Sequence, residues 1–282
     1  MRLLLLIALL LPASASAGLK DVVVDKLAEL DPSRRQTQFD FVVRQLSLAT
    51  AAAPHHAVGA LGLYELEVSF DNRIAFVQSD PQPGERSSAW QDMTEDGAPS
   101  PVQYVPRLTI RKGLPWAIEV GGSAGWVAGS RQFVVGGYGR WAALDGWPKV
   151  PDLAIQLGYQ AYVGNDQLDL GTFDLDVSLG YTFSAQTTGS KPGSAFSPYV
   201  GWSLLMMHAR PGAASVDEVG AVTAWADRAR PGVDPGNFMF HRVFGGVEIQ
   251  TGPVGFRLGG DVSFPRGGPL LAAATLTTSI RF

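Results

Sequence analysis

The 282-residue chain carries 22 Lys and Arg against 26 Asp and Glu, for a net charge of −4, and has no cysteine. Disulfides, thiolate metal sites and a lipid-bearing cysteine are thereby excluded, and without a Lys/Arg run there is no footprint for nucleic acid. Charged residues make up 17% of the chain, below the usual share of about a quarter.

The first residues, Met1-Arg2, are positive, and an apolar run over 3–11 follows until Pro12 breaks it. Ala15-Ser16-Ala17 then supplies small residues at alternate positions. This order predicts a secretory signal peptide over 1–17, cleaved before Gly18. The apolar core is too short for a membrane helix, which needs about 20 residues. No later segment approaches that length, so a membrane-spanning fold would have to be a closed barrel, the other structure that satisfies every backbone hydrogen bond in lipid.

Residues 18–53 have a helical period. The stretch 19–30 carries Val22, Val23, Leu27 and Leu30 between charged positions and reads as a short amphipathic helix. Asp31-Pro32-Ser33 interrupts it, and 39–48 resumes the spacing through Phe41, Val42, Leu46 and Leu48. The expectation is a helical periplasmic extension; an inward plug and a partner-docking arm are the alternatives.

Residues 54–282 change to a period of two. Ten segments, near 57–70, 101–111, 115–127, 132–143, 152–163, 168–183, 196–208, 237–250, 253–264 and 270–282, are separated by Gly, Pro, Asn and Asp. Eight or twelve strands would also fit the pattern. In the ninth segment Val254, Phe256, Leu258, Val262 and Phe264 share one face, while Arg257, Asp261 and Ser263 share the other. The third places Trp116 and Trp126 ten residues apart on one face, which projects to roughly 25 Å, the height of an apolar band between aromatic girdles. Phe183 and Phe282 would mark one girdle, Phe70 and Phe264 the other. If the first strand runs outward, the two longest connections, 71–100 and 209–236, both lie on the exterior side, where long loops belong. A soluble sandwich also alternates, but it explains neither the aromatic strand ends nor a last strand that alternates inward from Phe282.

That last strand, with Phe282, Ile280, Thr278, Leu276 and Ala274 opposed by Arg281, Ser279, Thr277 and Thr275, resembles the carboxyl-terminal signature of Gram-negative outer-membrane β-barrels. The resemblance covers roughly 57–282 and implies an all-β, closed antiparallel up-and-down transmembrane barrel of about ten strands in the bacterial outer membrane. It also implies lipid and lipopolysaccharide as surroundings, and Phe282 as the signal read by the barrel-assembly machinery.

Lipid-facing charge is costly, so the charged strand residues are expected to line the lumen. These are Glu65, Glu67, Glu119, Asp174, Asp176, Glu248 and Asp261 with Arg107, Arg111, Arg140, Arg242, Arg257 and Arg281. Their balanced signs in a narrow barrel predict a neutralising ion-pair network and no wide pore.

No cofactor or metal motif stands out. The acids of loop 71–100 (Asp80, Glu85, Asp92, Glu95 and Asp96) match no calcium-loop spacing. Of the four histidines, His55 and His56 precede the first strand, while His208 and His241 fall on adjacent strands with Asp217 or Asp234 nearby. They lack a nucleophile motif, which argues against an outer-membrane hydrolase or acyltransferase. The favoured expectation is a non-enzymatic structural or binding barrel, the outer-membrane component of an envelope-spanning complex, with partners met through 18–53 and loops 71–100 and 209–236. The alternative is a narrow pore or transporter, favoured by the inward glycines Gly121, Gly136, Gly158 and Gly180. A short helix over 216–229, with Val219, Val222 and Trp225, is expected to cap the barrel mouth, an exposed contact patch being the alternative.

Overall fold

The computed structural model describes residues 20–53, 59–81, 86–97, 100–145, 150–185, 194–212, 232–234, 236–265 and 269–282. Its strands are β1 (Leu66–Phe76), β2 (Val102–Leu114), β3 (Ile118–Trp126), β4 (Phe133–Leu144), β5 (Asp152–Val163), β6 (Leu168–Gly180), the short β7 (Phe183–Ala185), β8 (Ser194–Pro211), β9 (Gly236–Thr251), β10 (Val254–Pro265) and β11 (Leu271–Arg281).

Each long strand pairs antiparallel with the next along the chain, β6 pairs with β8, and β1 pairs with β11. Ten long strands therefore close on themselves. At the seam, Phe282 and Leu66 exchange backbone hydrogen bonds of 2.8 and 3.1 Å. The connection between β6 and β8 is long for a turn because it carries an extra rung, β7, which pairs with β8 from Phe183–Phe196 to Ala185–Ser194.

Five of the ten expected strands fall within two residues of their predicted bounds, and β5 occupies the predicted 152–163. The third is shorter, because Trp116 and Ala117, with φ of 62° and 56°, belong to the turn after β2. The first is displaced: it begins at Leu66, not near residue 57, and runs on to Phe76. Just before it, Glu65 donates its backbone N–H to the Gly62 carbonyl and its carboxylate accepts from the Gly62 N–H, which folds 62–65 into a turn. Phe70 consequently lies mid-strand opposite Leu108 and Thr278, and Phe76 takes the girdle position expected of it.

The wall has two contrasting faces. In β10 the exposed Phe256, Leu258, Val262 and Phe264 alternate with the buried Arg257, Gly259, Asp261 and Ser263. Leu258 is 59% exposed while Arg257 is 1% exposed. Apolar outside and charged inside is the reverse of a water-soluble sheet and is the sidedness of transmembrane barrels. Among the described residues no helix is long and apolar enough to cross a membrane.

The N-terminal segment does not sit beneath the barrel, as an extension would. It fills the lumen. Residues 24–29 form only a 3-10 turn, Val24–Glu29, and the amphipathic helix expected over 19–30 is absent from the described part. A 19-residue helix follows, α1 (Pro32–Thr50). Asp31 caps it, its carboxylate accepting from the Ser33 N–H at 2.9 Å, and Pro32 occupies the first turn, where a missing N–H costs nothing. From Val42 onward α1 is buried nearly all round, as a helix enclosed by a wall must be.

Candidate functional site: the occupied lumen

The lumen has three layers. At the end bearing the long connections 77–101 and 212–235, the inner wall is apolar. Ala75, Val105, Val134, Leu168, Leu170, Leu205, Met207, Ala209, Phe240 and Ala273 form one buried cluster with Phe39, Val42, Val43 and Leu46 of α1. A second short helix, α2 (Ala89–Met93), closes over this layer from the first long connection. Its Trp90 is buried, and the indole N–H donates to Gln45 Oε1 at 3.1 Å. The described part of that connection is thus folded inward onto α1.

Residues 20–26 are stitched to the same rim. Lys20 N–H donates to the Gly129 carbonyl, Val23 N–H to the Met93 carbonyl at 2.7 Å, and Asn165 to the Val22 carbonyl at 2.9 Å. Arg131 donates to Asp21 at 2.5 Å and to Glu95 at 2.9 Å, and the Asp21 hydrogen bond holds the Arg131 guanidinium above its ordinary pKa.

The middle layer is an arginine clasp around the carboxyl end of α1. Arg107 donates to the carbonyls of Ala49, Thr50 and Ala51 at 3.2, 2.6 and 2.7 Å. Arg73 reaches the Leu48 carbonyl at 3.1 Å and forks onto both oxygens of Asp261 at 2.8 and 3.2 Å. Arg242 reaches the Ala52 carbonyl at 3.0 Å and pairs with Asp176 at 3.3 Å. The last carbonyls of a helix lack intrahelical partners and carry the negative end of its dipole, so guanidinium donors suit them. Asp71 accepts from Thr109 at 2.7 Å and from Thr277 at 2.6 Å.

The third layer, toward the short turns, is ionic. Glu67 accepts from Arg111 and Arg281, each at 2.7 Å, and from Arg257. Glu119 pairs with Arg140 at 2.9 Å and Arg111 at 3.3 Å, and Glu248 with Arg257 at 2.8 Å and Arg281 at 2.6 Å. The chain leaving the plug runs through this layer: Leu61 N–H donates to Glu119 at 2.5 Å and Arg140 reaches the Gly59 carbonyl.

Of the residues expected in the lumen, Glu67, Arg107, Arg111, Glu119, Arg140, Asp174, Asp176, Arg242, Glu248, Arg257 and Asp261 are buried there, and Arg281 is nearly so. Glu65 is not; it is exposed in the turn described above. Arg73 and Asp71 are buried there too, and a first strand ending at residue 70 leaves them out. Yet the alternation Glu67, Ser69, Asp71, Arg73 continues past that point and could have revealed them.

Three of the inward glycines, Gly121, Gly136 and Gly158, do not leave open space beside them. A Cβ at Gly121 would meet the Tyr138 ring at 2.4 Å, one at Gly136 the Gln160 amide at 2.5 Å, and one at Gly158 the Asp174 carboxylate at 2.6 Å. Gly121 and Gly158 make room for a side chain from the next strand, while at Gly136 the Tyr159 carbonyl, at 2.1 Å, is closer still. Between the clasp and the ionic layer lies a cavity of about 20 Å3, bounded by Asp71, Arg107, Thr109, Ser123, Tyr138 and Gln160 among others. That is room for about one water molecule.

His208 and His241 do not meet. His208 stands opposite Asn237 and His241 opposite Leu204, four rungs apart on β8 and β9. His208 lies 3.9 Å from Asp169, and His241 stacks on Trp202 with centroids 5.7 Å apart. Asp234 is engaged with Gln36. His55, His56, Glu85, Asp217 and the expected helix over 216–229 lie outside the described residues. Among the described residues no group of three potential metal ligands occurs.

Fold and sidedness define a transmembrane-type β-barrel with an occupied lumen. No family model matches the chain, and no curated protein does. Similar solved structures include the N-terminal β-barrel domain of OprF from Pseudomonas aeruginosa, at 10% identity over 79% of this chain and 100% of that one, with a TM-score of 0.32. Neisserial surface protein A is 12% identical over 77% of this chain and 94% of its own, with a TM-score of 0.30. The outer membrane protein Omp33 of Acinetobacter baumannii is 9% identical over 79% and 100%, with a TM-score of 0.27.

Proposed function

We propose that this chain is a non-conducting, non-enzymatic barrel of the bacterial outer membrane, a rigid anchor that presents its long connections at the cell exterior. The observation that carries the reading is how the described residues occupy the lumen: apolar packing around α1, an arginine clasp on its end, and paired charges beyond. The membrane assignment is supported by the apolar, exposed outer face, and the orientation by the two longest connections sharing one end. The separation of the two histidines favours a binding role over catalysis.

Partner contact through 18–53, as expected for a free arm, is disfavoured because the described part of that segment is packed inside. Contact with an envelope-spanning assembly would fall instead to the connections at the exterior mouth. The test is planar-bilayer recording of the purified full chain. Silence at all applied voltages is expected; large, steady, ohmic conductance would overturn the proposal.

A further inference from the structure

The clasp layer holds one more acid than it holds arginines. Among the described residues it sets Arg73, Arg107 and Arg242 against Asp71, Asp174, Asp176 and Asp261, all of them buried. Asp261 takes the fork of Arg73, Asp71 accepts from two threonine hydroxyls, and Asp176 pairs with Arg242. Arg107 is committed to the carbonyls of α1. Asp174 has no arginine of its own.

Asp174 is fully buried, and neither of its carboxylate oxygens receives a hydrogen bond of good geometry. The neighbours on its rung are Gly158 on β5 and Leu205 on β8, beyond which stands Phe240 of β9. The carboxylate lies against the glycine, where a Cβ would meet its two oxygens at 2.6 and 2.7 Å. Gln156 stands at the margin of reach, and its amide donates to Asp176 Oδ2 at 3.2 Å. Also within hydrogen-bonding reach of Asp174 is the carboxyl group of Asp176, two positions along the same face. Two carboxylates are acceptors only, and side by side away from water they repel; one proton between them removes both difficulties. The charged groups turned toward the pair are Arg242 of β9 and Arg107 of β2. On β4, Arg140 is paired with Glu119 and Tyr138 stands across Gly158. β8 brings Ser203 and Leu205, and α1 brings no charged side chain after Arg44.

We propose that Asp174 and Asp176 share one proton and, with Arg242, form a proton-responsive latch on the end of the plug. Arg242 joins the pair to the Ala52 carbonyl at 3.0 Å. With the proton in place the guanidinium answers one negative charge. Without it two charges compete for the same donor, and the hold on Ala52 weakens. The latch does not depend on whether the lumen conducts.

The test is infrared spectroscopy of the full chain in an ester-free detergent, with and without carbon-13 at the aspartate carboxyls. At neutral pH the native chain is expected to show an isotope-sensitive carbonyl band of a protonated carboxyl group. That band should vanish in Asp174→Asn and persist in Glu65→Gln, whose site is the exposed turn. Its absence from the native chain, or its survival undiminished in Asp174→Asn, would overturn the inference. The native spectrum decides even where the variant fails to fold. Stability against pH gives a second readout. The folded pair keeps a proton that an unfolded aspartate gives up above about pH 4, so the native fold should lose stability as pH rises from there. Asp174→Asn, whose amide can donate to Asp176 without titrating, should lack that part of the loss. The ratio of the two unfolding constants should change by up to about tenfold per pH unit while the proton is held. Parallel pH profiles for the two chains would also overturn the inference.

Discussion

The Arg107 guanidinium donates to the Ala51 carbonyl at 2.7 Å, joining the barrel wall to the end of its own plug across 56 positions of sequence. Ala49 and Thr50 present their carbonyls to the same side chain. One buried cation thus satisfies three acceptors that the helix cannot satisfy itself.

Arg107→Ala is expected to destabilise the folded barrel by at least about 3 kcal/mol, since each buried acceptor left unpaired costs on the order of 1–3 kcal/mol. Arg107→Lys should fall between, because an ammonium cannot spread over three carbonyls as a planar guanidinium does. The midpoint of thermal loss of the compact band on unheated gels reads both. Equal midpoints for the native protein and Arg107→Ala would contradict the clasp.

Glu67 gathers Arg111, Arg257 and Arg281 and is itself fully buried. Removing its charge leaves guanidinium groups desolvated with fewer partners. Glu67→Gln should therefore cost about 3–5 kcal/mol, the range seen when one partner of a buried pair is removed. Glu65→Gln, two positions earlier but exposed in a turn, should leave the midpoint nearly unchanged. The pair distinguishes lumen from turn at adjacent acidic positions.

Gly121 and Tyr138 share one space, because a Cβ on the glycine would lie 2.4 Å from the ring. Gly121→Val is expected to lower stability by about 1–3 kcal/mol through overpacking. Adding Tyr138→Ala should recover part of that loss, a positive coupling measurable by a double-mutant cycle. Strict additivity would count against the contact.

With its early residues stitched to the long-connection rim, the chain should be accessible from outside the cell at its amino-terminal side. A short epitope inserted ahead of Lys20 is expected to label on intact cells. One placed in the turn between β9 and β10, after Gly252, should label only after permeabilisation. The reverse pattern would invert the orientation.

Most of the wall was legible in the sequence, because one lipid-facing and one charged face leave an unmistakable period of two. In β10 Arg257 and Asp261 fall between aromatic and aliphatic neighbours, and any slip of one residue would put them in lipid. The first strand was harder. Glycines at 59 and 62 and apolar residues between them imitate a strand start, and nothing in the spacing announces that 62–65 turns. The plug is hard to read for a different reason: its own helical pattern does not say what it packs against. The wall does carry that information. Over Trp202-Ser203-Leu204-Leu205-Met206-Met207 the alternation fades and both faces turn apolar. An inner face carrying Leu205 and Met207 needs an apolar partner, and only 18–53 was unassigned.

One consequence concerns the order of assembly. Lys20 is fixed at one mouth and Leu61 at the other, and the strand that follows immediately, β1, is half of the closing seam with β11. Once that seam is shut, the ionic layer leaves no passage for a helix. The segment is therefore expected to be enclosed as the circle is completed, with the β1–β11 pairing locking it in. Filling such a barrel after closure would require these ion pairs to open again, so enclosure of the plug is expected to accompany closure.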